Sequence, residues 1–292
     1  MRSIVIIGRL NLLCQLSIAQ NIYAVYWNGM EEVFTVLDAN TGTLNDIAIL
    51  PGVTSIQSNG TFDSKVNRYA LITNLGITVV DALDGSIISA VSNTNNMTGL
   101  AFGPNNNIYG VYWNGMQEIF AELDLQTGNV NDISVLPFVQ SIQNVSGYDG
   151  VQNRYFIVTN IGTLIINASD GSILQTISNP IGLTGLNFDC NNGLYGVYWN
   201  GMEEIFARLD LDNEVINDIG IVPGVQSIQN AATYDPVLDR YLINTNLGVT
   251  IVNPSDGSVT DAITFPMSLS ALAAANDCGT LVCGSFPWDG IR

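Results

Sequence analysis

The stretch VYWNGM at 25–30 returns unchanged at 111–116 and again at 197–202, a spacing of 86 residues each time. Its flanks repeat with it: NIYAVYWNGMEEVFTVLDANTG from Asn21, NIYGVYWNGMQEIFAELDLQTG from Asn107 and GLYGVYWNGMEEIFARLDLDNE from Gly193. After each copy comes a segment of the form Y/F-D…R-Y…T-N-x-G, as in TYDPVLDRYLINTNLG at 233–248. Self-similarity at a fixed period is the mark of a fold assembled from copies of one small unit, each burying its apolar face against the next.

A second period of half the length lies inside the first. Tyr26, Tyr112 and Tyr198 fall 43 residues before Tyr69, Tyr155 and Tyr241, and Gly42 and Gly128 fall 43 before Gly85 and Gly171. Glu214 breaks the pattern opposite Gly257. Six units of this size, grouped as three pairs, match the length of a four-stranded propeller blade. In the second unit the strands are expected at 53–63, 68–74, 77–82 and 86–92, divided by the turn residues Leu75-Gly76 and Asp84-Gly85. In the odd units Asn28-Gly29 predicts a two-residue hairpin turn. Residues 22–27, IYAVYW, are apolar on both faces, as a strand held between neighbouring blades would be.

The first copy opens at a second strand with no first strand before it. Near the other end, SLSALAAAND (268–277) aligns with the first-strand segment GLTGLNFDCN (182–191). The late segment is therefore expected to complete the first blade, close the ring and remove an exposed edge. The expected fold is all-β: a six-bladed β-propeller over 20–277, built from three 86-residue double-blade repeats, with 278–292 as a C-terminal tail. The LD-x-x-T-G-x-V and D-G-S-I turns are similar to those of the YVTN and PQQ-type propeller repeats of secreted bacterial proteins. That resemblance covers about 21–277 and implies a secreted binding or display scaffold; its motifs specify blades rather than chemistry.

Residues 1–19 have the plan of a secretory signal peptide: Arg2, an apolar stretch, and Ser17-Ile18-Ala19 before Gln20. No later run of about twenty apolar residues could span a membrane as a helix. A secreted, extracellular protein is expected. Beyond the leader, Cys278 and Cys283 are spaced to close a short disulfide loop, which would leave Cys190 unpaired; three free thiols are the alternative.

The charge narrows the partners. With 26 acidic and 8 basic residues the formal net charge is -18, a surface that repels nucleic acid and anionic membranes. Histidine is absent, which removes the usual general base and the commonest transition-metal ligand. No D-x-D-x-D-G spacing marks a calcium loop, so no cofactor is indicated and calcium is left open as a diffuse association. The blades are nearly identical in threes, whereas a propeller active site draws different residues from different blades. A binding protein, monomeric, is therefore expected before an enzyme. The alternatives are an acidic extracellular-matrix protein that associates with cations and a metal-dependent hydrolase centred on the channel.

Two accounts of the repeated hexapeptide follow. In the structural one, Tyr26 and Trp27 pack between blades, Met30 fills a gap, and recent duplication keeps the copies alike. In the functional one, three equivalent loops on one face each offer a tryptophan, an amide and a carboxylate: Trp27, Asn28 and Glu32; Trp113, Asn114 and Glu118; Trp199, Asn200 and Glu204. An aromatic plate beside polar groups suits a sugar, whose apolar ring face stacks while its hydroxyls bond, and an extracellular glycan or protein ligand could be held at three points at once. The recurrent Arg68, Arg154 and Arg240 are expected to pair with Asp63, Asp149 and Asp235, and Asp84, Asp170 and Asp256 to form turns.

Overall fold

The computed structural model describes residues 21–57, 60–92, 95–104, 107–178, 183–189 and 193–274. The leader expected at 1–19, the tail at 278–292, and Cys190, Cys278 and Cys283 lie outside the described residues. The described chain is all-β: 24 strands form six four-stranded antiparallel sheets, and no helix occurs among the described residues.

β1 (Ile22–Trp27), β2 (Glu32–Asp38) and β3 (Thr43–Ile49) form three strands of the first blade, and the second comprises β4 (Thr61–Asp63), β5 (Arg68–Thr73), β6 (Gly76–Asp81) and β7 (Ile87–Val91). The third blade holds β8 (Thr98–Phe102), β9 (Asn107–Trp113), β10 (Glu118–Asp124) and β11 (Val130–Leu136); the fourth, β12 (Ile142–Asp149), β13 (Arg154–Thr159), β14 (Gly162–Asn167) and β15 (Ile173–Ile177). The fifth holds β16 (Thr184–Phe188), β17 (Leu194–Trp199), β18 (Glu204–Asp210) and β19 (Val215–Ile221). The sixth holds β20 (Ile228–Asp235), β21 (Arg240–Thr245), β22 (Gly248–Val252) and β23 (Val259–Ile263).

The last strand, β24 (Leu269–Ala274), returns to the start of the chain. It pairs antiparallel with β1, Ile22 opposite Ala274 and Tyr26 opposite Leu269, and supplies the missing inner strand of the first blade. The inner strands then touch in the cycle β4, β8, β12, β16, β20, β24 and back to β4. The ring closes as the register of 268–277 predicts.

Each seam between blades has its own apolar cluster, because second strands are buried on both faces. From β1, Ile22, Ala24 and Tyr26 pack against Leu242, Val249 and Ile251 of the sixth blade. Tyr23 and Val25 pack the other way, against Tyr69, Leu71 and Val80 of the second. At every second seam a buried tyrosine adds a polar tie: the hydroxyls of Tyr69, Tyr155 and Tyr241 donate to the carbonyls of Ala271, Gly99 and Gly185 on the preceding blade's inner strand. Those three acceptors sit at irregularities in the pairing of their strands, all with left-handed backbone.

Three local expectations are corrected. The first strand of the second blade is Thr61–Asp63 rather than 53–63, with Ile56 making an isolated bridge to Thr73. The backbone ahead of it is claimed elsewhere: Thr54 N–H donates to Asn74 Oδ1 (2.7 Å), and Asn74 Nδ2 to the carbonyl of Gly52 (3.0 Å). The Asn28-Gly29 turn is a four-residue loop, 28–31, since Trp27 pairs directly with Glu32. Its shape comes from the Asn28 side chain, whose Oδ1 accepts from the N–H of Met30 (2.8 Å) and Glu31 (2.9 Å) and so stands in for a backbone turn. Met30 fills no gap: it is 80% exposed.

Candidate functional site

The loops between second and third strands share one face of the ring with the connectors between blades. In the odd blades these loops are 28–31, 114–117 and 200–203, and all three are built alike. Asn114 Oδ1 accepts from Met116 and Gln117, and Asn200 Oδ1 from Met202 and Glu203, at 2.8–2.9 Å. The motif thus folds by itself, with the methionine held outward at its tip. Met30, Met116 and Met202 are each 80% exposed, and Trp27, Trp113 and Trp199 are 45%, 50% and 39% exposed.

Strand alternation decides where those indoles lie. Tyr109 and Val111 face the seam between the third and fourth blades, and Trp113, two residues on, continues that face at its open end. By the same count Trp27 lies over the seam between blades one and two, and Trp199 over that between five and six. The blade connector crosses each seam just there. It is pinned by the T-N-x-G motif: Asn160 Oδ1 accepts from Gln140 and Ser141, and Asn246 Oδ1 from Gln226 and Ser227. Each tryptophan therefore stands on a fixed floor, between its own loop and a tethered connector.

The polar groups expected beside the indoles are placed differently from the indoles themselves. Glu32, Glu118 and Glu204 sit directly opposite Trp27, Trp113 and Trp199 in the ladder but are buried, each 7% exposed, and burial raises their carboxyl pKa values above the ordinary range. The Oδ1 atoms of Asn28, Asn114 and Asn200 are committed to the loop backbone. The outward face of each site consists of tryptophan, methionine and the exposed residue after the methionine: Glu31, Gln117 or Glu203.

The other singled-out residues are structural. Arg68 meets Asp63 at 2.7 Å, Arg154 meets Asp149 at 2.8 Å and Arg240 meets Asp235 at 2.9 Å, all largely buried, across the hairpins expected from the five-residue spacing. Asp84, Asp170 and Asp256 accept from the N–H of Ser86, Ser172 and Ser258. All three carboxyls are held below their usual range, Asp170 and Asp256 first by the Ser172 and Ser258 hydroxyls and then by these N–H groups, Asp84 first by the Ser86 N–H and then by its hydroxyl. A further set escaped the sequence reading. Tyr26, Tyr112 and Tyr198 donate to Asp46, Asp132 and Asp218 at 3.0, 2.6 and 2.7 Å, and the Tyr112 phenol, bonded to a carboxylate, is pushed up to about 12. The signal was available, since a tyrosine and an aspartate twenty residues on recur in every long repeat.

On the axis the inner strands of all six blades enclose a cavity of about 210 Å³. Its polar lining includes Thr61, Ser146, Tyr148, Asn187 and Thr233, with rings such as Phe62 between them. Among the described residues no group of three or more His, Cys, Asp or Glu converges as metal ligands would, and no helix is long and apolar enough to cross a membrane.

No protein-family model matches the sequence, and no curated protein matches it. Solved structures do. TolB from Acinetobacter baumannii superposes with a TM-score of 0.66 at 12% identity, over 88% of this chain and 66% of that one, so the chain spans a little less than two thirds of that relative. A TolB-type structure from Agrobacterium tumefaciens gives a TM-score of 0.61 at 9% identity, over 87% and 92%. An oligogalacturonate lyase in complex with manganese gives 0.53 at 11%, over 78% and 69%. At these identities the likeness defines the fold: a six-bladed β-propeller with TolB-like structural neighbours.

Proposed function

We propose that this chain is a secreted, non-enzymatic propeller of the YVTN/PQQ-like kind that binds an extracellular glycan through its three tryptophan platforms. One observation carries the reading. Three half-exposed indoles, each with a methionine exposed nearby, stand on the same face at every second seam, at strand ends beside loops whose folding needs neither side chain. Exposed tryptophan and methionine add little to the stability of a blade, whereas an indole on a rigid base is a ready surface for the apolar face of a sugar ring. Three such surfaces on one ring favour a repeating polymer, since linked contacts multiply weak single affinities. The signal-peptide plan of residues 1–19 supports export, and this mode of binding requires no cofactor and no second copy of the chain.

The test is a glycan array probed with residues 20–292 and with the W27A/W113A/W199A variant. Because the indoles are half-exposed, the variant should keep the wild-type circular dichroism spectrum and a melting temperature within a few degrees. Its binding should be lost. A folded triple variant that binds as wild type does would refute the assignment.

A further inference from the structure

At two exposed positions beside the platforms the middle copy departs from a residue that the first and third share. Behind the connector proline, the first and third repeats carry Gly52 and Gly224 at φ +76° and +77°, whereas the middle repeat carries Phe138 at φ +67°. Behind the loop methionine they carry Glu31 and Glu203, and the middle repeat carries Gln117. A left-handed backbone crowds the Cβ of any residue but glycine. Phe138 accepts that crowding and is also 84% exposed, so the ring is neither tolerated by the backbone nor buried in the core. Two other departures from a glycine pattern, Glu214 at φ +56° and Ala271 at φ +55°, put a charged group in solvent or a methyl in the core. Of these three departures, Phe138 is the one that sets a large apolar group in solvent.

Its place is specific. Phe138 follows Leu136, which pairs with Glu118, which pairs with Trp113. The connector that bears it crosses the seam over which Trp113 stands, held by Asn160. Three adjacent strands put the Trp113 and Leu136 backbones about 10 Å apart, a distance that a chain of several linked sugar rings spans. The loss of the carboxylate at Gln117 points the same way: an amide both donates to and accepts from hydroxyls, while a carboxylate only accepts.

We propose that the platform between the third and fourth blades, formed by Trp113, Met116, Gln117 and Phe138, is the tightest of the three sites and takes uncharged β-linked hexose units, one ring on the indole and another ring of the same chain on the phenyl group. The proposal rests on the glycan reading above and ranks its sites. Rings linked equatorially present flat C–H faces to both aromatic groups, and neutrality suits a rim where one negative charge has been removed from a strongly acidic protein.

Isothermal titration with two probes, cellohexaose and the hexamer of N-acetylglucosamine, tests it. Wild type should bind at least one probe with a single tight site per chain, and W27A/W199A should keep that site. F138G should weaken it about tenfold, the loss of one stacked aromatic contact. The same variant should melt about 2 °C higher through relief of the left-handed strain, so that weaker binding is not misfolding. Q117E should also bind more weakly. The inference is overturned if F138G binds as wild type does, if W27A/W199A loses the tight site, or if wild type binds neither hexasaccharide. It is likewise overturned if F138G abolishes self-association of the chain and leaves sugar binding intact. A folded W27A/W113A/W199A variant that still binds would instead remove the reading on which this one stands.

Discussion

The hydroxyl of Tyr69 donates to the carbonyl of Ala271, 202 residues further along the chain. The bond joins the second blade to the strand that closes the ring, and both partners are buried. Tyr69→Phe removes the donor and leaves a buried carbonyl without it. The expected loss is about 1–2 kcal/mol, read as a lower urea midpoint with an unchanged slope. Tyr155→Phe and Tyr241→Phe, which cut the matching bonds to Gly99 and Gly185, should cost similar amounts.

Ala271 occupies the place of Gly99 and Gly185, with φ +55° against their +64° and +63°. Glu214, at φ +56°, occupies that of Gly42 and Gly128, at +70° and +74°. Ala271→Gly and Glu214→Gly should each stabilise the fold by about 1 kcal/mol, because relief of the left-handed penalty outweighs the added freedom of the unfolded chain. A chemical denaturation series that finds either variant less stable than wild type would refute the strain.

Arg154 and Arg240 hold Asp149 and Asp235, whose side chains are 4% and 1% exposed. Arg154→Ala strands a buried carboxylate and should cost about 3 kcal/mol. The D149N/R154M double variant removes both charges and should recover most of that loss. If the double variant is no better than the single one, the pair is not the source of the cost.

Burial raises the carboxyl pKa of Glu32, Glu118 and Glu204 in the folded chain. Just above the ordinary carboxyl range the folded state therefore binds more protons than the unfolded one, and this contribution to stability falls as pH rises. The E32Q/E118Q/E204Q variant carries no such cost. Its melting temperature should exceed that of wild type at pH 7, and the gap should close towards pH 4. An equal gap at both pH values would show that the glutamates do not titrate differently in the two states.

The closed ring was legible because its evidence is long-range and redundant. Forty-three-residue spacing from Tyr26 to Tyr69, two-sided apolar runs such as 22–27, and the alignment of 268–277 with 182–191 all require the same architecture. What stayed hidden depended on where single polar groups are spent. Residues 53–57 carry strand-like composition, yet the Thr54 N–H goes to the Asn74 side chain and the segment makes only an isolated bridge to β5, Ile56 to Thr73. Asn28-Gly29 looks like a two-residue turn until the Asn28 side chain is seen to shape four residues. Of the candidate site, the tryptophans are on the surface as the sugar-binding account needs, while Glu32 reads as a loop carboxylate but begins a strand and is buried. Phe138 shows in the repeat alignment only as a departure from Gly52 and Gly224; its left-handed backbone and its exposure come from the structure.

The pairing of β1 with β24 also dictates a timetable. During synthesis the inner edge of the first blade must wait while some 250 further residues emerge, about tens of seconds at usual elongation rates. Throughout that interval its unpaired N–H and C=O groups are open to a wrong partner. A circular permutant that begins with the segment now ending in Ala274 would meet its neighbour at once, and should refold faster and aggregate less than the natural order.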